Sequence, residues 1–339
     1  MKKIIKSILY NFFSIAIYFE IIIRSNFSSC KYYYSGYAGA FGFGDHVVFF
    51  LNIINKLNNK NKVLCYSKLQ SEIAKFFLKK KFVSETFFCL PKFMNDSHLG
   101  YGYLIKKKNF KPTKMISPHQ KKTPLSLLYY GTKFQINLIN KKIKLDKINF
   151  KLKQILKRKT IIIFIKNYSL LKKKENINFQ VRQTRELNKI FKLINYLSRK
   201  NINIIILGKE NDHFIKIFNN EVYDKKKVFL FKNLSKGYSI EDQIYLASKA
   251  YAFIGNLSGA MVFFDILKKK TLLIDCVLQK SIANWKRNRV VLFKKCINKK
   301  TKNKEFFSPY KKYSNYKNDI IENNYFQILK KVKTHLKIS

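Results

Sequence analysis

The sequence predicts an α/β protein with two Rossmann-like domains facing each other across a cleft, preceded by an apolar helix. A length of 339 residues and a hydrophobic content of 47% suit two domains with their own cores. In the second half, β-branched runs alternate with segments of helical spacing, which favours a parallel sheet covered by helices. A Gly-containing turn follows an apolar run in each half, where such sheets bind ligands.

The N-terminal segment is mostly apolar over residues 4–23, although Lys6, Asn11 and Glu20 interrupt it. The stretch that follows is a poor signal-peptidase site. We expect residues 1–28 to form a helix on the cytoplasmic face of the inner membrane, peripheral or monotopic, with Lys contacting anionic headgroups. A spanning helix is possible on length. The alternatives are an ordinary buried first helix and a cytoplasmic protein.

The first domain is predicted over residues 29–155 and is expected to bind the acceptor. An aromatic run leads into a Gly-rich loop that contains Gly42 and Gly44. Asp45 then fits the N-cap of a helix over 46–57. The remaining predictions are a strand at Val63–Tyr66, a helix at Gln70–Leu78, a loop-rich segment at 91–135 and a Lys-rich amphipathic exit at 136–160.

The second domain is predicted over residues 156–300, and a Lys-rich tail with a final helix at 319–336 over 301–339. Ser239 and Asp242 form an S-x-x-D capping pattern before a helix, although Asp242 could instead face the cleft. Strands are predicted at 161–165, 204–207, 228–231, 251–254 and 272–275, and helices at 182–199 and 244–250.

The most informative turn is Gly255-Asn256-Leu257-Ser258-Gly259, which follows an apolar strand and opens a helical run. Free backbone N–H groups and a helix N-terminus suit a phosphate or diphosphate. The alternative is that Gly and Ser merely make a tight turn. Lys166 and the segment 208–210 follow other strands of the same half and are expected at the same edge of the sheet.

The formal net charge is +50, but only seven of the 69 basic residues are Arg. Abundant Lys, Ile, Asn, Phe and Tyr are what A/T-rich codons encode, so the charge is discounted as a sign of nucleic-acid binding. It still attracts anionic lipid and nucleotide-sugar diphosphates. An RNA-binding protein, the less favoured alternative, would concentrate exposed aromatics and basic residues on one surface. The five Cys lack zinc spacing and fit a reducing compartment.

Three segments of the second half resemble a family of bacterial glycosyltransferases of GT-B architecture that act in surface-polysaccharide biosynthesis. They are IIIFIKNYSL (161–170), NFQVRQTRELNKIFKLINYLSRKNINIIILGKE (178–210) and EDQIYLASKAYAFIGNLSGA (241–260). The last contains the most specific motif, F-I-G-x-x-S-G. FGFGDHVVF (41–49) resembles more loosely the Gly-rich opening loop of GT-B enzymes, heptosyltransferases included.

The resemblance implies transfer of a sugar from a nucleotide-sugar to a lipid-linked or polysaccharide acceptor, with no metal and no cofactor besides this co-substrate. Lys166-Asn167 stands where the family prefers Arg-Asp, so a positive charge remains without the bidentate fork. A non-catalytic protein that binds glycans or nucleotides is therefore the alternative. The donor-binding residues implied are Lys166, Arg182, Gly208, Glu210, Asn256, Ser258 and Gly259.

Two residues compete as the catalytic base, Asp45 and His46. An inverting transfer needs a group that removes the proton of the acceptor hydroxyl. His46 has a suitable ordinary pKa, although a lone His near a helix start also fits a structural role. Developing charge on the leaving group would be offset by Lys, Arg and helix dipoles.

Overall fold

The chain forms two compact units, residues 1–128 and 129–339. Each contains a parallel sheet with helices, so the predicted α/β class is confirmed. The structure, a computed structural model, describes residues 2–27, 29–34, 46–47, 50–51, 53–54, 57–90, 115–116, 133–165, 183–208, 212–235, 239–277, 288–297, 301–307 and 320–338.

The first unit holds a four-stranded parallel sheet of order β3-β2-β1-β4. The predicted strand and helix in its middle are confirmed as β2 and α2, and the Ser67 hydroxyl caps α2 by accepting from Gln70 N at 3.2 Å. β4 lies inside the segment predicted to be loop-rich. The elements are α1 Lys2–Phe27, β1 Lys31–Tyr34, β2 Asn61–Ser67, α2 Lys68–Phe77, β3 Val83–Leu90 and β4 Met115–Ile116.

Helix α1 confirms the predicted N-terminal apolar helix and packs against β3. Ile17 is buried on its inner face. Glu20 and Arg24, two charges within an otherwise apolar segment, bind each other and the edge strand β3. Within the part of the chain that the structure describes, no helix has the length and apolar character needed to cross a bilayer.

The second unit is built on a six-stranded parallel sheet of order β10-β9-β8-β5-β6-β7. β5 comes first in the chain, β6 and β7 extend the sheet to one side, and β8 to β10 extend it to the other. This is the doubly wound order of a dinucleotide-binding fold. The strands are β5 Thr160–Phe164, β6 Asn203–Ile206, β7 Val228–Leu230, β8 Ala252–Gly255, β9 Lys270–Cys276 and β10 Arg289–Phe293.

Helices cover this sheet on both faces. Alternate strand residues such as Ile161 and Ile254 pack with α5, α6 and α9, while Phe253 contacts Phe264 of α8 on the opposite face. The helices are α3 Lys133–Lys141, α4 Phe150–Ile155, α5 Asn188–Arg199, α6 Asp212–Glu221, α7 Ile240–Lys249, α8 Val262–Ile266 and α9 Tyr325–Leu336.

Two helix starts differ from the sequence predictions. Helix α5 begins at Asn188 rather than at 182, because Thr184 and Arg185 bond to Asp275 and Glu322 and residues 183–187 have no regular structure. Helix α9 begins at Tyr325, after a short strand. That strand belongs to an unpredicted antiparallel sheet of order β12-β11-β13, formed by β11 Lys295–Ile297, β12 Lys304–Phe306 and β13 Ile320–Ile321.

The division between the units also falls earlier than the predicted boundary at residue 155. Helix α4 belongs to the second unit because Leu152 and Ile155 are buried. The Ile155 carbonyl accepts from Asn203 Nδ2 at 2.9 Å and from Thr160 Oγ1 at 3.2 Å. The final helix α9 likewise packs into the core of this unit rather than forming a separate tail.

Candidate functional site

The candidate site is the carboxyl edge of the six-stranded sheet, where the strand order reverses between β5 and β8. In open parallel sheets the loops on the two sides of this point leave in opposite directions and open a crevice for a ligand. After Ile165, which follows β5, residues 166–182 lie outside the described residues. The turn after β8, residues 255–259, is described and lies at this reversal point.

Two glycines flank Phe164, the last residue of β5. A Cβ on Gly255 would overlap the carbonyl oxygen of Phe164, and that oxygen accepts from Asn256 N at 3.0 Å. Gly208 has a φ of +142°, where side chains are rarely tolerated, and a Cβ there would lie 3.2 Å from Cε2 of Phe164. Gly255 is therefore required by its close contact with backbone, and Gly208 by its positive φ.

Asn256 is 1% exposed, and its side chain is committed to the fold. Its Nδ2 donates to Thr184 Oγ1 at 3.0 Å and to the Ile274 carbonyl at 3.1 Å. These bonds tie the turn to β9 and to the segment before α5. These hydrogen bonds favour a role for Asn256 in stabilising the turn. Direct donor binding by Asn256 stays a prediction.

Ser258 and Gly259 lie at the open end of the turn. Gly259 is exposed. The Ser258 hydroxyl is buried and has no hydrogen-bond partner among the described residues. Gly259–Met261 form one turn of 3-10 helix before the five-residue helix α8, so the predicted helical run is present but short. The site therefore depends on the hydroxyl and on the backbone N–H groups more than on a helix macrodipole.

A buried network of charged and polar groups, which sequence analysis missed, supports this edge. Lys189 Nζ lies 2.9 Å from both Asp275 Oδ2 and Glu322 Oε2, and Lys294 Nζ lies 3.1 Å from Glu322 Oε1. Lys189 is 4% exposed and Lys294 is 0% exposed. Such burial of Lys is rare without partners, but nothing in a chain this rich in Lys distinguishes these two by sequence.

Asp275 is the centre of this network and lies at the carboxyl end of β9. Its φ is +50°, an uncommon value for Asp that is typical of constrained sites. Asn323 stabilises this conformation by accepting from Asp275 N at 2.6 Å and donating its own N–H to Oδ1 at 2.8 Å. Thr184 donates to Oδ2 at 2.7 Å, which completes a path from Asp275 to the turn through Asn256.

The two carboxyl groups of the network differ in acidity. Burial raises the pKa of Asp275, and the negative charge of Glu322 raises it further, while Lys189 and Lys294 oppose both effects. Burial also acts to raise the pKa of Glu322, but Lys294 and Lys189 outweigh burial and hold it below the usual range. Burial therefore favours the protonated form of Asp275, whereas the two Lys favour the ionised form of Glu322.

Several predicted site residues lie outside the described residues: Gly42, Gly44, Asp45, Lys166, Arg182 and Glu210. Arg182 directly precedes Gln183, whose carbonyl oxygen accepts from Lys294 Nζ at the carboxyl edge of the sheet. His46 is described, and it is buried in the first unit. Burial favours its structural alternative, and a catalytic role for His46 stays a prediction.

Asp242 has a different role from either alternative considered for it. Ser239 is the N-cap of α7, and its hydroxyl accepts from Asp242 N at 3.0 Å. The Asp242 carboxylate accepts from Ser235 Oγ at 2.7 Å and from Asn149 N at 3.4 Å. The carboxylate therefore joins α7 to the start of α4.

Comparison with known proteins gives structural matches only. No protein-family model matches the chain, and no curated protein matches it. ADP-heptose lipopolysaccharide heptosyltransferase II from E. coli aligns at a TM-score of 0.47 and 10% identity, over 91% of this chain and 98% of that one. A glycosyl transferase of family 9 from Veillonella parvula gives 0.47 and 11%, over 91% and 98%. The UDP-GlcNAc 2-epimerase of Methanocaldococcus jannaschii gives 0.40 and 10%, over 87% and 75%. These likenesses are too distant to carry an activity over to this chain.

Proposed function

We propose that this protein is a glycosyltransferase that uses a nucleotide-sugar donor in cell-surface glycan synthesis. The observation that carries the proposal is the position of the F-I-G-x-x-S-G motif. It occupies the turn at the reversal point of a doubly wound sheet, where nucleotides bind in such folds. Gly255 lets the turn approach β5, and the buried Ser258 hydroxyl has no hydrogen-bond partner among the described residues.

In this proposal the donor diphosphate accepts hydrogen bonds from the Ser258 hydroxyl and from backbone N–H groups near Gly259. Lys166 and Arg182 supply positive charge, and Gly208 and Glu210 contact the nucleoside or sugar. Asp275 and its network act indirectly, because they fix Thr184 and thereby the turn. No metal is required, since fixed cations and N–H dipoles offset the charge that develops on the diphosphate.

The proposed chemistry is one substitution at the anomeric carbon. A hydroxyl oxygen of a lipid-linked or polysaccharide acceptor forms the new bond, and the bond from that carbon to the diphosphate oxygen breaks. The nucleoside diphosphate leaves with the electron pair, and a base takes the hydroxyl proton. His46 and Asp45 of the first unit are the proposed bases.

A screen of thermal stability tests the donor site. ADP-, UDP- and GDP-linked sugars are added to the full chain, and at least one is expected to raise Tm. Ser258→Ala and Arg182→Ala are expected to reduce that shift. Ser248→Ala is the matched control, because its hydroxyl only bonds within α7, to the Tyr245 carbonyl. If no nucleotide or nucleotide-sugar changes Tm, the proposal is wrong.

Turnover separates the enzyme from the non-catalytic alternative. The donor that raises Tm is incubated with the protein and an extract of lipid-linked glycans, and release of nucleoside diphosphate is measured. Release that depends on the extract supports transfer. A donor that binds without any release favours the alternative that the Lys166-Asn167 departure first suggested.

A further inference from the structure

Helix α1 has two different faces, and its contacts with β3 determine which one points inward. Ile17 is fully buried, the Glu20 carboxylate accepts from Phe87 N at 2.7 and 2.8 Å, and Arg24 donates to Ser84 Oγ at 2.8 Å. These charges interrupt the apolar N-terminal segment because they bind the backbone and side chains of an edge strand. They fix the rotation of the helix about its axis.

A second face exposes a row of large apolar side chains, called here the outer stripe, in which the ring of Phe12 also contacts Phe88 of β3. Its members are separated by four, three, four and four positions, the spacing of one helix face, and each is at least 48% exposed. The outer stripe consists of Ile8, Phe12, Ile15, Phe19 and Ile23. Phe27 and Phe87, at 85% and 84% exposure, add further apolar surface on α1 and β3.

The length of this exposed apolar surface indicates that it binds a partner. At about 1.5 Å per residue the stretch from Ile8 to Phe27 is about 29 Å long. A continuous exposed apolar surface of this kind marks an interaction site, because water solvates it poorly. Among the other residues that the structure describes, isolated exposed apolar side chains such as Phe150 and Phe326 form no comparable row.

Charge identifies the partner. Helix α1 carries four basic residues and one acidic residue, and Lys79–Lys81 are exposed just before β3. The whole chain has a formal charge of +50, which repels a second copy and attracts an anionic surface. Each basic residue near an anionic membrane adds about 1 kcal/mol of attraction. An anionic lipid bilayer offers both an apolar interior for the outer stripe and negative charge for the basic residues.

We infer that α1 lies flat on an anionic bilayer, with the outer stripe in the acyl-headgroup boundary and the Glu20–Arg24 face held against β3. The helix does not need to span the bilayer, because an amphipathic helix binds through one apolar face and surrounding basic residues. This inference is independent of the donor site, and it goes beyond the proposed function by defining the lipid-contacting residues.

Vesicle flotation of the full chain tests the inference. The wild type is expected to float with vesicles made of equal parts phosphatidylcholine and phosphatidylglycerol, and to float less with phosphatidylcholine alone. The triple variant Ile15→Gln/Phe19→Gln/Ile23→Gln is expected to lose about tenfold or more in partitioning, since three apolar side chains no longer enter the bilayer.

A second triple variant, Phe150→Gln/Tyr223→Gln/Phe326→Gln, is the matched control. It removes three aromatic side chains of the second unit that are 71% to 76% exposed, and it should float like the wild type. Circular dichroism and Tm identify any variant that fails to fold, and the single variant Phe19→Gln then replaces the outer-stripe triple. The inference is overturned if folded outer-stripe variants float like the wild type. It is also overturned if sedimentation shows that the outer stripe instead joins two copies.

Discussion

At the residue scale, the clearest constraint is the absence of a side chain at Gly255. The glycine follows the core residue Ile254, and its neighbour Asn256 bonds back to the end of β5. A methyl group there has no space, because the overlapping atom is a backbone oxygen that cannot move without breaking the sheet. The same glycine would be dispensable in an ordinary surface turn.

We expect Gly255→Ala to lower the free energy of unfolding by about 3 kcal/mol or more, as overpacking against backbone does. Urea denaturation of the variant measures it. Gly208→Ala is the comparison, because its new Cβ meets a ring edge at 3.2 Å that can rotate, although its φ of +142° adds strain. An unfolding free energy for Gly255→Ala equal to that of the wild type would contradict the close approach of β8 and β5.

At the element scale, the charged network joins parts of the sequence that are far apart. Lys189 lies in the first turn of α5, Asp275 is the second-last residue of β9, Lys294 follows β10, and Glu322 follows β13. Burial makes each charge dependent on the others, because an uncompensated charge in the interior costs several kcal/mol. These contacts hold the carboxyl ends of the strands close to the segment before α5.

We expect Lys294→Met to cost about 3 kcal/mol of unfolding free energy, since it leaves Glu322 with a single Lys partner. Lys227→Met is the control, because the ion pair of Lys227 with Asp224 is about one third exposed and should contribute about 1 kcal/mol or less. The double variant Lys294→Met/Glu322→Gln should lose less than the sum of the single changes. Equal losses for Lys294→Met and Lys227→Met would show that the network contributes little.

At the scale of the whole molecule, the two units have separate sheets and cores, which suggests that the second can fold alone. We expect a fragment of residues 129–339 to unfold cooperatively in calorimetry. A fragment of residues 156–339, cut at the boundary predicted from sequence, should be less stable because it lacks α4, with the buried side chain of Leu152. Equal Tm values for the two fragments would instead support the domain boundary that the sequence predicted at residue 155.

The sequence predicted the regular elements well where their periodicity is strong. The strands around Ile162 and Ile254, the Ser239 cap and the turn at 255–259 all follow from local patterns. Boundaries shifted where distant groups compete for the backbone. Arg185 N, for instance, donates to Glu322 at 2.8 Å, which helps keep the start of the predicted helix out of the helical conformation.

Local patterns in the chain are enough to predict the α/β class, the alternation of strands and helices and the glycine turn, because these depend on neighbours within a few positions. Only the tertiary structure decided that Lys189 and Asp275, 86 residues apart, neutralise each other. It also decided that α9 completes the core of the second unit and which face of α1 is exposed. Contacts between residues far apart in the chain leave no local sequence pattern. They form because the folded chain lowers the free energy of burying a charge or an apolar face.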